Sequence, residues 1–393
     1  MKVAQRLPVP VPHPDHFTSR LRSPAVAARV GLWLGICFGI CFLTGLVSHY
    51  AQNIDQPVAF PTSPSWIYRV TQGLHVTTGT AAVPLLLVKL WSVYPRLFNR
   101  LPTGGARKVA VDALERVSIA VLVASAIFML ASGLPNAAQW YPWSDFSFRA
   151  THYAVAWVAI GSLVVHIAVK LPITRDVLLG DVDDTTHDRE TAVEEGTMSR
   201  RGLLRTTWVA TGVAVVATVG STLTPLRKVS IFAIANDDGP QGIPINRTAA
   251  AAQVEQTAVA SDFRLDVVFG DRTVSLSREE LLAMPQQTET LPIACVEGWS
   301  ASGEWSGVRV RDLLDLVEAP ADSEVLATSL EESGAFRQGL LQGNFADDDR
   351  TLLALGLDGE ELDLDHGYPC RIIAPNRPGV RQTKWVKTLE VLA

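Results

Sequence analysis

HYAVAWVAIGSLVVHIAVK, residues 152–170, is the stretch that decides the fold. Apart from its two histidines and the closing Lys170 it is apolar or small throughout, and it is long enough to cross the ~30 Å hydrocarbon layer of a bilayer as one helix. Working outward, four more segments share this character. The expected spans lie near 28–49, 70–93, 111–133, 149–171 and 203–224. Asp112, Glu115 and Arg116 blur the start of the third.

The loops set the orientation. Residues 50–65 and 134–148 contain no Lys or Arg. The N-terminal arm holds Lys2, Arg6, Arg20, Arg22 and Arg29, the 94–110 loop Arg96, Arg100, Arg107 and Lys108, and the 172–202 loop Arg175, Arg189, Arg200 and Arg201. Positive charge stays inside, so the N-terminus is expected in the cytoplasm and residues 225–393 outside, in a multi-pass protein of the plasma membrane. Trp66, Tyr68, Trp140, Tyr141 and Trp143 fall where an outer aromatic belt belongs. No signal peptide is expected in residues 1–28. A net charge of -6 argues against nucleic acid as a partner. The four cysteines, Cys37, Cys41, Cys295 and Cys370, do not suggest a disulfide framework, because the first two sit inside an apolar helix.

Histidines within a membrane span are costly and are candidates for function. His49, His75, His152 and His166 all qualify. His152 and His166 are fourteen positions apart, which is ~21 Å of helix rise and within ~40° of one face. That spacing suits two stacked haems, and His75 is expected at a depth comparable to His152. Paired imidazoles favour a low-spin b haem that transfers electrons. The ordinary alternative is hydrogen bonding between helices.

GLHVTTG (73–79) and the 152–170 stretch resemble the membrane cytochrome b subunits of hydrogenases and formate dehydrogenases. The resemblance implies His75 and His152 as ligands of an outer haem, and His166 as a ligand of a second, inner haem. In that family the partner of His166 would be a histidine at the cytoplasmic end of the first helix. Here that region reads AVAARVGL (25–32), with Arg29 and no histidine. His16 could fold back to serve, or His166 has another role; His49 lies at the wrong end of its helix. One or two b haems, exchanging electrons with quinone or quinol, are therefore expected.

SRRGLLR (199–205), just before the fifth span, looks like a twin-arginine export signal. Arginines on the cytoplasmic side of a span are also expected from orientation alone. A domain that acquires a bulky cofactor before export favours the first reading.

Beyond Pro225 the composition becomes that of a soluble protein. Residues 262–393 alternate β-like runs (FRLDVVFG, TVSLS, LPIACVEG, YPCRIIAPN, WVKTLEVLA) with turns and two helix-like stretches, REELLAMP and VRVRDLLDLVEAP. LPIACVEGWSASGEWSGVRVRDLLDLV (291–317) and HGYPCRIIAPNRPGVRQTKWVKTLEV (366–391) resemble the molybdopterin-binding domain of the sulfite-oxidase superfamily. The resemblance implies Cys295 as the catalytic thiolate ligand of molybdenum. It implies His366 and Arg371 as contacts to the pterin and its phosphate, and Gln382, Thr383 and Lys384 as the loop around that phosphate. Cys370 reads as a core cysteine. VEGWS lacks the asparagine–arginine sequence of sulfite oxidases and looks closer to periplasmic methionine-sulfoxide reductases.

The expected architecture is an all-α transmembrane bundle followed by an α+β domain like that of sulfite oxidase. It runs as a cytoplasmic arm (1–27), a four-helix cytochrome b domain (28–175), a cytoplasmic linker (176–202), a fifth anchor helix (203–224), a second linker (225–260) and the molybdopterin domain (261–393). The expected activity is oxygen-atom transfer, with a small-molecule or peptidyl sulfur oxide as substrate. Two rivals are oxidation of sulfite or an organic sulfur compound with reduction of quinone, and a cofactor-free membrane scaffold or receptor.

Overall fold

The computed structural model describes residues 13–53, 56, 58–98, 105–137, 140, 147–232, 239–334 and 337–392. Lys2, Arg6, Arg100, Tyr141, Trp143 and part of the second linker lie outside the described residues. Among the described residues, five helices are long and apolar enough to cross a membrane. They are α1 (Pro24–Gln52), α2 (Ile67–Val93), α3 (Ala106–Ala137), α4 (Phe148–Leu179) and α5 (Arg200–Thr218). α1, α3 and α4 outrun the expected windows at both ends, and α2 at its N-terminal end alone. Hydropathy marks only the length inside hydrocarbon, while backbone hydrogen bonding carries a helix on into the polar margins. Leu43, Leu87, Leu114, Val164 and Val209 point outward, as side chains facing lipid should. α5 stops six residues before its expected end. Thr222 and Thr224 are engaged by Gly298 O and Arg69, Pro225 cannot continue a helix, and the chain leaves through the short turns Val219–Ser221 and Thr224–Leu226.

The chain divides into two compact units. One comprises residues 1–42, 77–135 and 142–216. In it Arg29 donates to Val177 O (3.2 Å) and Gly180 O (2.7 Å), carbonyls at the C-terminal end of α4. Lys89 Nζ donates to Ala27 O at 2.7 Å. Lys170 pairs with Glu115, and Arg116 with Asp112. Arg200 is buried: it pairs with Asp188 and donates to Arg20 O, Val182 O and Asp184 O. Arg201 pairs with Asp181 and Asp183 at the surface.

The second unit comprises residues 43–76, 136–141 and 217–393, so the end of α1 and the start of α2 belong with the C-terminal domain. Among its described residues that domain has ten strands: β1 (Leu265–Phe269), β2 (Arg272–Leu276), β3 (Gln287–Ala294), β4 (Ser300–Arg309), β5 (Val325–Ser329), β6 (Gln338–Leu341), β7 (Leu352–Leu357), β8 (Glu360–Glu361), β9 (Arg371–Ile373) and β10 (Val386–Val391). One sheet runs β2-β1-β10-β5-β6; the other runs β3-β4-β7-β8, with β9 also on β7. β1 and β10 are parallel and the other pairs antiparallel. The expected β-like runs supply β1, β2, β3, β9 and β10. β4 to β8 went unread, and the helix-like stretch 308–320 is helical only over Val310–Asp315 because its first residues end β4.

The core of this domain, with Leu265, Val267, Leu313, Leu314 and Leu389, also takes in Ala51, Phe60 and Tyr68 from the α1–α2 region. Polar contacts tie the same region down. Asn376 Oδ1 accepts from Tyr68 N and its Nδ2 donates to Pro61 O, both at 2.7 Å. Arg381 Nε donates to Gln52 O at 2.8 Å, and Asn344 Nδ2 to Phe60 O at 2.9 Å.

Candidate functional site

β3 and β4 pair in unbroken register from Gln287↔Gly307 to Ala294↔Ser300, and the residues between them form a tight turn that starts at Cys295. Gly298 N donates to Cys295 O (3.0 Å) and Cys295 N to Trp299 O (2.9 Å). Gly298 sits at φ +91°, a conformation that favours glycine. Cys295 is almost fully buried, and burial, helped by the nearby Glu297 carboxylate, pushes its thiol well above the usual range. The thiol donates to Glu297 Oε2 at 3.6 Å, and that oxygen also accepts from Trp299 Nε1 at 3.1 Å. Among the described residues no group of three or more His, Cys, Asp or Glu side chains could hold a metal alone. A metal at Cys295 has to bring its other ligands with it.

The second motif converges on the same place. Ala294 bridges to Pro378, and Cys295 lies within electrostatic reach of Lys384. His366 is buried and donates from Nε2 to Pro240 O at 2.6 Å. Burial pushes it down to about 4, the Pro240 carbonyl opposes the shift, and Arg371 and Lys384 reinforce it. The Arg371 guanidinium is fully buried, donates to His366 O (2.9 Å) and Gln382 O (3.4 Å), and lies 5.1 Å from the centre of the Trp305 ring. Burial lowers it to about 10. Its Nε has no hydrogen-bond partner among the described residues. Lys384 donates to Asp365 O (2.8 Å) and Arg247 O (2.9 Å); burial and then Arg371 push it down to about 7. Gln382 Oε1 accepts from Ala374 N at 3.1 Å, and Thr383 O accepts from Ile372 N at 2.9 Å. Gly367, at φ +114°, lets Arg371 and Lys384 crowd together, since a Cβ there would meet the Cβ of each at 3.1 Å.

The site therefore gathers cations that burial destabilises and leaves one buried donor unsatisfied. An anion such as a pterin phosphate meets both needs. Two further buried arginines escaped the sequence reading. Arg377 donates to Arg381 O (2.8 Å) and Leu340 O, and burial, then Arg381, lower it to about 9. Their signal was available in APNRPGVR (374–381), where two arginines follow an apolar strand within eight residues. Cys370 is a fully buried core cysteine, as expected.

Two of the histidines of the spans, His75 and His152, share a pattern. His75 Nδ1 hydrogen-bonds Thr44 Oγ1 at 3.1 Å, and its Cε1 would lie 3.3 Å from a Cβ on Gly45. In the other unit His152 Nδ1 hydrogen-bonds Ser132 Oγ at 3.1 Å, and its Cε1 would lie 3.6 Å from a Cβ on Gly133. Each ring is braced by a hydroxyl and laid on the glycine that follows it in sequence. His166 is half-buried within electrostatic reach of Lys89, Lys170, Glu115 and Arg96. His16 lies in the turn Pro14–His16 and accepts from His13 N, while Arg29 is engaged with α4.

Residues 251–393 match the family described as the oxidoreductase molybdopterin binding domain. The Azospira oryzae protein named as subunit YedZ1 of a protein-methionine-sulfoxide reductase is 30% identical over 158 residues, which is 38% of this chain and 55% of that one. The sulfite oxidase of Arabidopsis thaliana is 28% identical over 114 residues (24% of this chain, 29% of that one). The methionine-sulfoxide reductase catalytic subunit MsrP of Campylobacter jejuni is 25% identical over 134 residues (30% and 45%). This chain spans less than two thirds of each of these three relatives. The C-terminal domain, with its buried cysteine turn and its crowded cationic loop, is a molybdopterin-binding oxidoreductase domain of the sulfite-oxidase superfamily.

Proposed function

We propose that the chain is a plasma-membrane oxidoreductase with its C-terminal domain outside the cytoplasm. It takes electrons from quinol, passes them through b haem, and reduces a sulfoxide such as methionine sulfoxide at molybdenum. The observation that carries the proposal is the convergence of the Cys295 turn with Arg371 and Lys384, one of whose donors is unsatisfied.

Molybdopterin, when bound, supplies two-electron oxygen-atom transfer; placement and charge belong to the protein. Cys295 Sγ is the thiolate that would hold the metal, a soft donor for a soft site. Because burial raises the thiol, it ionises only against a cationic partner, and Glu297 Oε2 is the acceptor in place for its proton. Arg371 and Lys384 would hold the phosphate, with His366, neutral at pH 7, and the backbone around Gln382 and Thr383 completing the cradle. For the haem, an imidazole whose Nδ1 is fixed by a hydroxyl keeps its ring orientation for ligation through the other nitrogen. The glycine beneath it lets the imidazole lie close against the neighbouring helix. His75 and His152 are the proposed ligands; His166 is the proposed ligand of a second haem.

Glu297 favours sulfoxide reduction over sulfite oxidation. The turn beside Cys295 presents a carboxylate where an anionic substrate would need a cation, whereas a sulfoxide is neutral.

The test is metal, pterin and optical analysis of the purified protein beside three variants. Cys295→Ser is expected to retain pterin and lose turnover. His75→Ala and His152→Ala are each expected to lose b-type absorbance. Wild-type turnover in the first variant, or unchanged spectra in the other two, would overturn the corresponding assignment.

A further inference from the structure

We infer that the cysteine turn is clamped to the first turns of α2, so that electrons cross a fixed junction between His75 and Cys295 without any swing of the C-terminal domain. This rests on the proposed haem at His75. Three contacts make the clamp. The backbone of Gly298 lies against Val76, the residue after His75: a Cβ at 298 would fall 2.7 Å from Val76 Cγ2. Thr222, in the segment leaving α5, donates through its hydroxyl to Gly298 O. Asn136, near the end of α3, donates to Val296 O at 3.1 Å. The turn bearing Cys295 is thus gripped at Val296 and Gly298 by residues from three of the five helix ends.

The grip is reinforced around it. Thr222 and Leu223 pack on α2 at Gly73, where a Cβ would meet them at 3.8 and 3.6 Å. Arg69, two turns before His75, donates to Thr224 Oγ1 (2.7 Å) and to Ser302 Oγ in β4 (3.1 Å). From His75 the connection runs along the backbone to Val76, across one van der Waals contact to Gly298, and through the Gly298 N to Cys295 O hydrogen bond at 3.0 Å. Quinol oxidation releases two electrons and two protons. Each sulfoxide consumes two of each to give sulfide and water, so one turnover is two single-electron crossings of this junction.

The test is Val76→Cys combined with Gly298→Cys. Val76 Cβ lies 3.8 Å from the ideal Cβ position at 298, inside the ~3.5–4.5 Å range that a disulfide spans. The valine substitution also removes the methyl that a Cβ at 298 would strike. The clamp predicts that the bridge forms on mild oxidation, mapped by mass spectrometry on the full-length protein. It also predicts that bridged and reduced forms reoxidise pre-reduced haem at the same rate when sulfoxide is added. Loss of haem reoxidation on bridging, restored by reductant while dye-driven sulfoxide reduction persists, would show that the domain must move and overturn the inference. Failure of a well-folded double variant to bridge would overturn the contact itself. The unmodified protein gives a second reading should the φ of Gly298 not tolerate cysteine: haem reoxidation is expected not to change with solvent viscosity, and a rate falling in proportion to viscosity overturns the fixed junction. Absence of b-type absorbance in the unmodified protein would instead defeat the haem reading beneath it, a failure kept distinct because bridge formation is read without haem.

Discussion

Asn376→Ala strikes the join between the C-terminal domain and the start of α2. Tyr68 N–H belongs to the first turn of α2, where a helix has no acceptor of its own to offer, and Asn376 Oδ1 supplies one at 2.7 Å. The same side chain donates to Pro61 O at 2.7 Å. Tyr68 and Asn376 are 1% and 2% exposed, so water cannot take over at Tyr68 N when the amide is cut away, whereas Pro61 is exposed and its carbonyl can turn to solvent. The orphaned N–H costs ~1–3 kcal/mol. Asn376 also sits at φ +55°, where alanine fares worse than asparagine by up to ~1 kcal/mol. Local opening of the α1–α2 connection is thus expected to become easier by ~2 kcal/mol, or ~30-fold in exchange rate at ~1.4 kcal/mol per decade. Hydrogen exchange of the peptide covering residues 60–70, followed by mass spectrometry, measures this. Asn376→Asp keeps the acceptor and loses the donor, so it should show a smaller rise. Unchanged protection of that peptide in Asn376→Ala would refute the capping argument.

His366 makes a pH prediction. Its pKa in the folded protein, about 4, is below the unfolded value of 6.5, so only the unfolded chain gains this proton as pH falls through that window. Stability of the cofactor-free protein should therefore drop between pH 6.5 and 4, by up to ~3 kcal/mol, and His366→Gln should remove that part of the acid dependence. Thermal unfolding curves with equal acid sensitivity in both proteins would contradict it. For export, Arg201→Lys replaces a surface ion pair at constant charge, so the orientation reading expects no effect. The twin-arginine reading expects residues 226–393 to stay on the cytoplasmic side, most fully with Arg200→Lys added. Protease accessibility in spheroplasts decides, and full external exposure in the double variant rules the signal out.

The five spans could be read because a bilayer demands long apolar helices, and that demand is written in composition alone. Their true ends could not, since they depend on partners far along the chain. The cysteine turn and the 366–384 loop were legible as motifs, and the structure brings them together through the Ala294–Pro378 bridge. β4 escaped because SASGEWSGVR carries serines and glycines where a strand usually carries β-branched residues. Its pairing with β3 and β7 overrides that weak propensity. Arg377 and Arg381 went unread; burial against backbone carbonyls shows them as part of the loop's architecture. The hydroxyl–glycine pairs beneath His75 and His152 lie on neighbouring helices, and no pattern within one helix reveals them.

Asn376 and Arg381 also bear on how the chain is made. The acceptor for the first-turn amide of α2 lies 308 positions downstream of it, and the guanidinium that donates to the last carbonyl of α1 lies 329 downstream. During synthesis these two helices enter the bilayer long before the residues that complete their ends leave the ribosome. Until the C-terminal domain has folded and reached them, the terminus of α1 and the beginning of α2 remain frayed, and His75 sits only two turns inside the unfinished end. Arrival of the domain closes both helices in one event, so the histidine acquires its firm setting last.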